Sequence, residues 1–286
     1  MAAELPGAAG VRHIVVCADD FAVHASASRG IAQLAQQGRL SATSAMVLSP
    51  HWPQHAAMLQ DLRGQIDVGL HLDWTSSFAM DAGHGLPLAA AMRQALWRGF
   101  DPVRATRVIE HQLDLFEAHW QAPPDHVDGH QHVQQFAGIR QALVQVLHTR
   151  YASHRVKPYL RISRAPAGLA DLKSRVIAMM GANALEKIAT HAGITSARAL
   201  FGIYNFEGDG ARYAALMAHW LRVAPQAGLL MCHPAQTVEP ADEIGTARAQ
   251  EFAYLASLQF AQALSAAQVV LARGAQLWPP VGLPAR

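Results

Sequence analysis

Cysteine is almost missing from this chain. Cys17 and Cys232 are the only two in 286 residues, each inside an apolar run. A dense disulfide framework of the kind that holds small secreted domains is therefore excluded, and both read as buried thiols. Charge is sparse too, at 15% Asp, Glu, Lys and Arg against 51% hydrophobic residues, which excludes a disordered, charge-rich chain and suits a globular enzyme. Neither sign dominates: 23 Lys and Arg face 21 Asp and Glu, a formal net charge of +2. That leaves no electrostatic footprint for nucleic acid or an anionic membrane, and the expected partner is a small molecule. No segment offers ~18 uninterrupted apolar residues for a transmembrane helix. Met1 to Gly10 holds an acidic residue and no apolar stretch of signal-peptide length, so the default expectation is a cytoplasmic protein. Internal repeats, heptads and low-complexity blocks are absent as well.

What is present is an alternation of short apolar runs ending in polar residues with longer helical patterns, the rhythm of β-α units on a parallel sheet. Strands are expected at His13 to Asp20, Ser41 to Ser49, Ile66 to Trp74, His126 to His130, Tyr159 to Ser163, Leu200 to Tyr204 and Gly228 to His233, with Gln268 to Leu271 an additional candidate. Helices are expected at Ala25 to Gln37, closed by Gly38, and near Pro53 to Leu62. Between Thr106 and Trp120, the residues Ile109, Leu113, Phe116 and Trp120 recur at helical spacing and predict a core-facing amphipathic helix. Thr75 to Pro87, with Gly83, Gly85 and Pro87, reads as a loop over whatever the third strand presents, and Ala165 to Ala199 as a mostly helical excursion. Seven or eight strands would close a barrel, and a barrel of roughly 250 residues commonly runs as one domain. The expected organisation is one domain over 11–286 behind a flexible segment 1–10.

Metal-type residues gather at the ends of the apolar runs, where parallel α/β folds place their active face. Asp19 and Asp20 end the first run, His71 ends Asp67-Val68-Gly69-Leu70, and His233 ends Leu229-Leu230-Met231-Cys232. Two adjacent carboxylates on a strand point to different sides, so one can bind a cation while the other faces substrate or water. In His126-Val127-Asp128-Gly129-His130-Gln131-His132, the alternate members of an extended segment would share one face. Four such groups unpaired against an apolar core would be costly. They line a metal site or a hydrogen-bonded network, and metal is favoured once His71 is counted. His51 and His55 share i,i+4 spacing but lack the neighbouring Glu of the zinc-protease motif, so they read as ordinary residues.

Ala18-Asp19-Asp20-Phe21, Gly69-Leu70-His71-Leu72, Asp128-Gly129-His130-Gln131-His132 and Met231-Cys232-His233-Pro234 resemble, in order, the motifs of the ChbG/HpnK (YdjC-like) carbohydrate deacetylases. Leu160-Arg161-Ile162-Ser163-Arg164 resembles the family's arginine-bearing strand, and the match runs from Ile14 to Ala235. The resemblance implies an irregular, TIM-barrel-like (β/α) barrel of the polysaccharide deacetylase type, with one divalent metal ion, zinc or magnesium, on Asp20, His71 and His130. It implies Asp19 as general base and His233 as general acid. Ala22 departs from the family where Gly is frequent, and Asp73 stands where many members are apolar and is read as rimming the substrate pocket.

The implied reaction removes an acetyl group from an N-acetylated amino sugar, either a chitooligosaccharide or an N-acetylglucosaminyl glycolipid precursor. A metal lowers the pKa of bound water and polarises the amide carbonyl; Asp19 takes the water's proton and His233 protonates the departing amine. Arg161 or Arg164 is expected to orient Asp19 or hold sugar hydroxyls. Trp74, Phe78 and Phe136 are either sugar-stacking platforms or core and lid residues. Asp128 and His132 are placed with the substrate-binding residues, a contact to metal or a supporting position behind it being equally open. A homodimer is compatible with this reading. The competing readings are another metal-assisted hydrolase such as a phosphoesterase, which would want more bridging carboxylates, and a non-catalytic sugar-binding protein, which would need neither acid nor base.

Overall fold

The run Ile14-Val15-Val16-Cys17 is β-branched except for its last residue and apolar throughout, the composition of a parallel strand covered on both faces. It forms the centre of β1 (Arg12–Phe21) in a computed structural model that describes residues 10–278 except 98, 155 and 156. All but Gly10 of the expected flexible segment 1–10 lies outside the described residues. Among the described residues eight further strands follow: β2 (Ala42–Ala45), β3 (Asp67–Leu72), β4 (His126–Gly129), β5 (Tyr159–Arg161), β6 (Ser196–Ala197), β7 (Leu200–Phe201), β8 (Leu229–Cys232) and β9 (Val269–Leu271). Every pairing is parallel, in the order β6-β5-β4-β3-β2-β1-β8-β7. Only Arg198 and Ala199 separate the two outermost strands, so they are halves of one kinked segment, and the sheet curls into a nearly closed, irregular (β/α) barrel. β9 pairs with β1 ahead of β2 and on the same edge: the Arg12 N–H and Ile14 carbonyl bond to the β9 segment, the Val16 carbonyl to Ser41, and the Val15 N–H to Gly228 on the other side.

Strand alternation sorts the side chains into two cores. Ile14, Val16 and Ala18 face outward and pack with Val68, Leu70, Val127 and Leu160 against the surrounding helices. Val15 and Cys17 face inward with Tyr159, Leu229 and Met231 and fill the barrel. Cys17 and Cys232 are free, buried thiols. One step further along each inward column the filler changes character: Cys17 is followed by Asp19, Gly69 by His71, His126 by Asp128, Tyr159 by Arg161 and Met231 by His233. The barrel is therefore plugged by apolar and aromatic groups below and polar ones above, at the carboxyl ends of the strands.

The apolar stripe Ile109, Leu113, Phe116 and Trp120 is buried, but its helix begins at Pro102, behind the Asp101 cap whose carboxylate accepts the Arg104 N–H at 2.7 Å. The second strand stops at Ala45, and Met46 instead turns its N–H to the Phe21 carbonyl at 2.8 Å. The expected Pro53 to Leu62 helix is a short α-helix, Trp52–His55, continued by a 3-10 helix, Ala56–Leu62. Thr75 to Pro87 contains a helix, Ser77–Asp81, capped by Ser76. The excursion holds two, Leu172–Met179 and Ala182–His191.

Gly69 is fixed by packing in the lower layer. The His126 ring, stacked on Tyr159 at 5.1 Å between centroids, lies 2.4 Å from where a Cβ on residue 69 would stand. Gly69→Ala is expected to destabilise the protein by about 1–3 kcal/mol through overpacking. Denaturant melts of Gly69→Ala, His126→Ala and the double variant test this: the double variant loses less than the sum of the two. Fully additive losses would contradict it.

Candidate metal centre and active face

At the top of β1 the backbone leaves the strand pattern. Asp20 has φ +65° and Ala22 φ +72°, and the pairing with β2 shifts register between Ala18 and Phe21. Asp19 continues the inward column; a regular strand would send Asp20 outward, but the left-handed turn brings both carboxylates to the same cavity. Such conformations cost of order 1–3 kcal/mol for residues other than glycine, and the Ala22 segment is held by the Ser28 hydroxyl, which accepts the Ala22 N–H at 3.0 Å, and by Ser49, which donates to the Ala22 carbonyl at 2.6 Å. The departure from glycine at residue 22 is thus accommodated in the conformation glycine favours.

Asp20 Oδ1 lies 3.2 Å from His71 Nε2 and 3.1 Å from His130 Nδ1, and one atom of each residue lies within 4.8 Å of the others. His71 presents Nε2 here because its Nδ1 is held by Asp128 Oδ1 at 2.6 Å, with Ser44 Oγ at 3.1 Å. A carboxylate behind a histidine fixes its ring and tautomer and raises its basicity, the arrangement found behind metal-bound imidazoles. Burial pushes the His71 pKa down, but the charge and hydrogen bond of Asp128, with Asp19 and Asp20, outweigh it and lift it to about 10. Burial would raise Asp20, yet Arg248 and His130 hold it well below the usual carboxylate range. Among the described residues, Asp19, Asp20 and Asp128 face two guanidinium groups, Arg161 and Arg248, and the His71 ring, whose raised pKa makes it the third positive charge; a cation bound at Nε2 would take the place of that proton. Two imidazoles and a carboxylate fit a divalent ion that accepts nitrogen and oxygen donors.

Two other groups of ligand-type side chains converge nearby, Cys17 with His126 and Asp128, and Asp19 with His71 and Asp128. The first is buried in the barrel, and its Asp128 Oδ2 is already 3.1 Å from Arg161. In the second, both Asp19 oxygens are taken by Arg161, at 2.7 and 2.8 Å. Among the described residues, Asp20, His71 and His130 form the group whose three members all line the cavity, which measures about 990 Å³.

Arg161 is fully buried and grips Asp19 with both terminal nitrogens, a bidentate fork that fixes the carboxylate plane. Burial raises the Asp19 pKa, and Arg161 and His71 more than reverse this. His233 also lines the cavity; burial outweighs the pull of Asp20 and Asp19 and lowers its pKa to about 4, leaving a neutral ring at pH 7.

The remaining expected site residues divide. Asp128 stands behind His71 and beside Arg161, not in the cavity wall. β4 ends at Gly129, and Gln131 and His132 adopt left-handed φ of +52° and +64°, so the shared face stops after Asp128. His132 still lines the cavity and meets Ser163 Oγ through Nδ1 at 3.0 Å; burial, then Arg161, lowers its pKa to about 3. Arg164 lies beyond the strand end and turns to Asn183 and Glu186, both at 2.7 Å, outside the cavity wall. Asp73 does not rim the pocket: its carboxylate accepts the N–H groups of Thr75 and Ser76, each at 3.0 Å, and the Ser76 hydroxyl, folding the loop. Trp74 is buried against His84 and Phe100, while Phe78 and Phe136 reach the cavity. His51 and His55 stack on each other, and His55 bonds to Ser28. Sequence reasoning missed Ser44, Arg248 and Glu251, which contact Asp19 or His71, Asp20 and His233 respectively.

Comparison with known proteins gives the same family as the motifs. A chitooligosaccharide deacetylase of Proteus mirabilis (strain HI4320) is 29% identical over 131 residues, 44% of this chain and 51% of that protein. One of Enterobacter sp. (strain 638) is 27% identical over 168 residues, 54% of this chain and 65% of that one. The matched stretches thus span half to just under two thirds of these relatives. A crystal structure from Enterococcus faecalis V583, described as a candidate cellobiose-phosphate cleavage protein, superposes with a TM-score of 0.69 at 16% identity, covering 94% of this chain and all of that one; it speaks for the fold alone. The family described as YdjC-like protein matches residues 13–266, and this chain belongs to it.

Proposed function

We propose that the chain is a metal-dependent carbohydrate N-deacetylase that hydrolyses the acetamide of an N-acetylated amino sugar. The observation that carries this reading is the convergence of Asp20, His71 and His130 on one wall of the cavity beside an Asp19 clamped by Arg161. A divalent ion on the three ligands would supply Lewis acidity for an amide oxygen and a lowered pKa for water. Nitrogen donors at two of the three positions favour zinc over magnesium, which prefers oxygen.

Asp19 is ionised at neutral pH and accepts a proton with its carboxylate in the orientation Arg161 sets. His233 begins neutral, so the proton that Asp19 accepts from water would pass to its ring before His233 gives it to the departing amine. Phe78, Leu88, Met92, Phe136, Val176 and Ile177 make much of the remaining wall apolar, which supports a substrate with an apolar group beside the sugar, as in an N-acetylglucosaminyl glycolipid, over a long polar chitooligosaccharide. A phosphoesterase reading is less well supported, because Arg248, the guanidinium in the cavity wall, is occupied by Asp20 and Asp242 and the buried Arg161 by Asp19 and Asp128, so neither offers a free fork to a phosphate.

Acetate release from N-acetylglucosaminides with hydrophilic and alkyl aglycones tests the reading. Chelation is expected to abolish turnover, zinc to restore it better than magnesium, and the alkyl glycosides to show higher kcat/KM. Activity that survives exhaustive chelation would overturn the metal dependence. In the same assay, Asp19→Asn and His233→Ala are expected to keep the ion and lose about 100-fold to 10,000-fold in kcat. Asp20→Asn should instead lose the ion, as measured by metal content.

A further inference from the structure

The helix Gly245–Ala256 carries two buried charged residues one turn apart, Arg248 and Glu251, exposed by only 3% and 0%. Arg248 donates from Nη2 to Asp20 Oδ2 at 2.7 Å and from Nε to Asp242 Oδ2 at 2.6 Å, and its Nη1 lies 3.5 Å from the His233 carbonyl. Glu251 accepts the His233 N–H at 2.5 Å on one oxygen and the Tyr204 hydroxyl at 2.6 Å on the other. The Ala235 N–H closes the link on the Arg248 carbonyl at 3.1 Å. One turn of helix thus holds the far oxygen of Asp20 and both sides of the His233 peptide.

We propose that Arg248 and Glu251 are positioning residues: Arg248 keeps Asp20 a one-oxygen ligand, and Glu251 sets the position of His233 relative to that ligand. The inference rests on the metal reading above. Asp20 Oδ1 faces His71 and His130, while Oδ2 is saturated by a guanidinium. Without Arg248 the carboxylate is free to offer both oxygens to the ion, taking a position that water and the amide oxygen need. The net effect is a change in ligand denticity and reactivity, with the capacity to hold an ion preserved, because removing a neighbouring positive charge does not weaken cation binding. Glu251 acts only through the backbone of residue 233, whose N–H would otherwise be buried and unpaired.

Titration of the 286-residue chain with Co²⁺ tests both parts, read by visible absorption and by steady-state kinetics on the same samples. Arg248→Met is expected to bind Co²⁺ as tightly as the parent or more so, with weaker absorption per ion, the sign of higher coordination. Its kcat is expected to fall about 100-fold, as misplaced reacting groups do, with KM changing no more than about threefold. Glu251→Ala is expected to lose kcat with an unaltered Co²⁺ spectrum, and Glu251→Gln, which keeps an acceptor for the His233 N–H, to retain most of it. Should Arg248→Met not fold, Arg248→Lys carries the same test, since a point charge cannot fork across Asp20 and Asp242. A spectrum and rate unchanged in the Arg248 variant, or Co²⁺ affinity lost in step with kcat, would overturn the inference. Absence of Co²⁺ binding by the parent would instead overturn the metal reading on which it rests.

Discussion

The bidentate pair between Arg161 and Asp19, buried with Asp128 at the top of the barrel, is the constraint around which the active face is arranged. A charge moved from water into a protein interior costs several kcal/mol unless its hydrogen bonds are replaced, so each member of this layer needs the next. Arg161 answers Asp19 and Asp128, Asp128 answers His71, and His71 turns its other nitrogen to Asp20. Removing Arg161 would leave two buried carboxylates without their cation. The same low dielectric gives the groups fixed orientations, which a site assembled before its ligand arrives requires.

Below this layer the barrel is an ordinary packed core, and the division between the two follows from strand alternation. Inward positions two residues apart are stacked along each strand, so a mostly apolar or aromatic member below and a polar one above make one packed level and one polar level. The local cost appears at Asp20, where a left-handed residue breaks the alternation so that a second carboxylate can join the first. The adjacent aspartates thus divide, one held by Arg161 and the other directed at His71 and His130.

Much of this was legible in the sequence because the strands announce themselves. Val15 and Cys17 inward predict Asp19 inward, and Leu160 outward predicts Arg161 inward, whereas Arg164 lies past the strand where alternation no longer applies. The face expected for His126, Asp128, His130 and His132 holds for the first two and fails where Gly129 ends the strand. Asp73 and Trp74 misled for a related reason: proximity to His71 in sequence says nothing of a loop that folds on its own hydrogen bonds. The start at Pro102 was signalled by Asp101 ahead of a proline, but the apolar stripe that defines the helix begins later. Arg248 and Glu251 gave no such signal. On a helix, charges one turn apart read as a solvated face, and Asp20, the partner of Arg248, stands more than 200 residues earlier; the pairing of β1 with β8 in the folded sheet brings the two together.

The central claim is that three side chains from three separate strand ends form one cation site on the cavity wall. Anomalous diffraction from crystals soaked in a zinc salt measures it most directly. The account predicts a single strong peak within bonding distance of Asp20 Oδ1, His71 Nε2 and His130 Nδ1, with Asp20 Oδ2 still on Arg248. A peak between Cys17 and His126, at the stacked pair His51 and His55, or no peak at the three residues at saturating zinc, would contradict it.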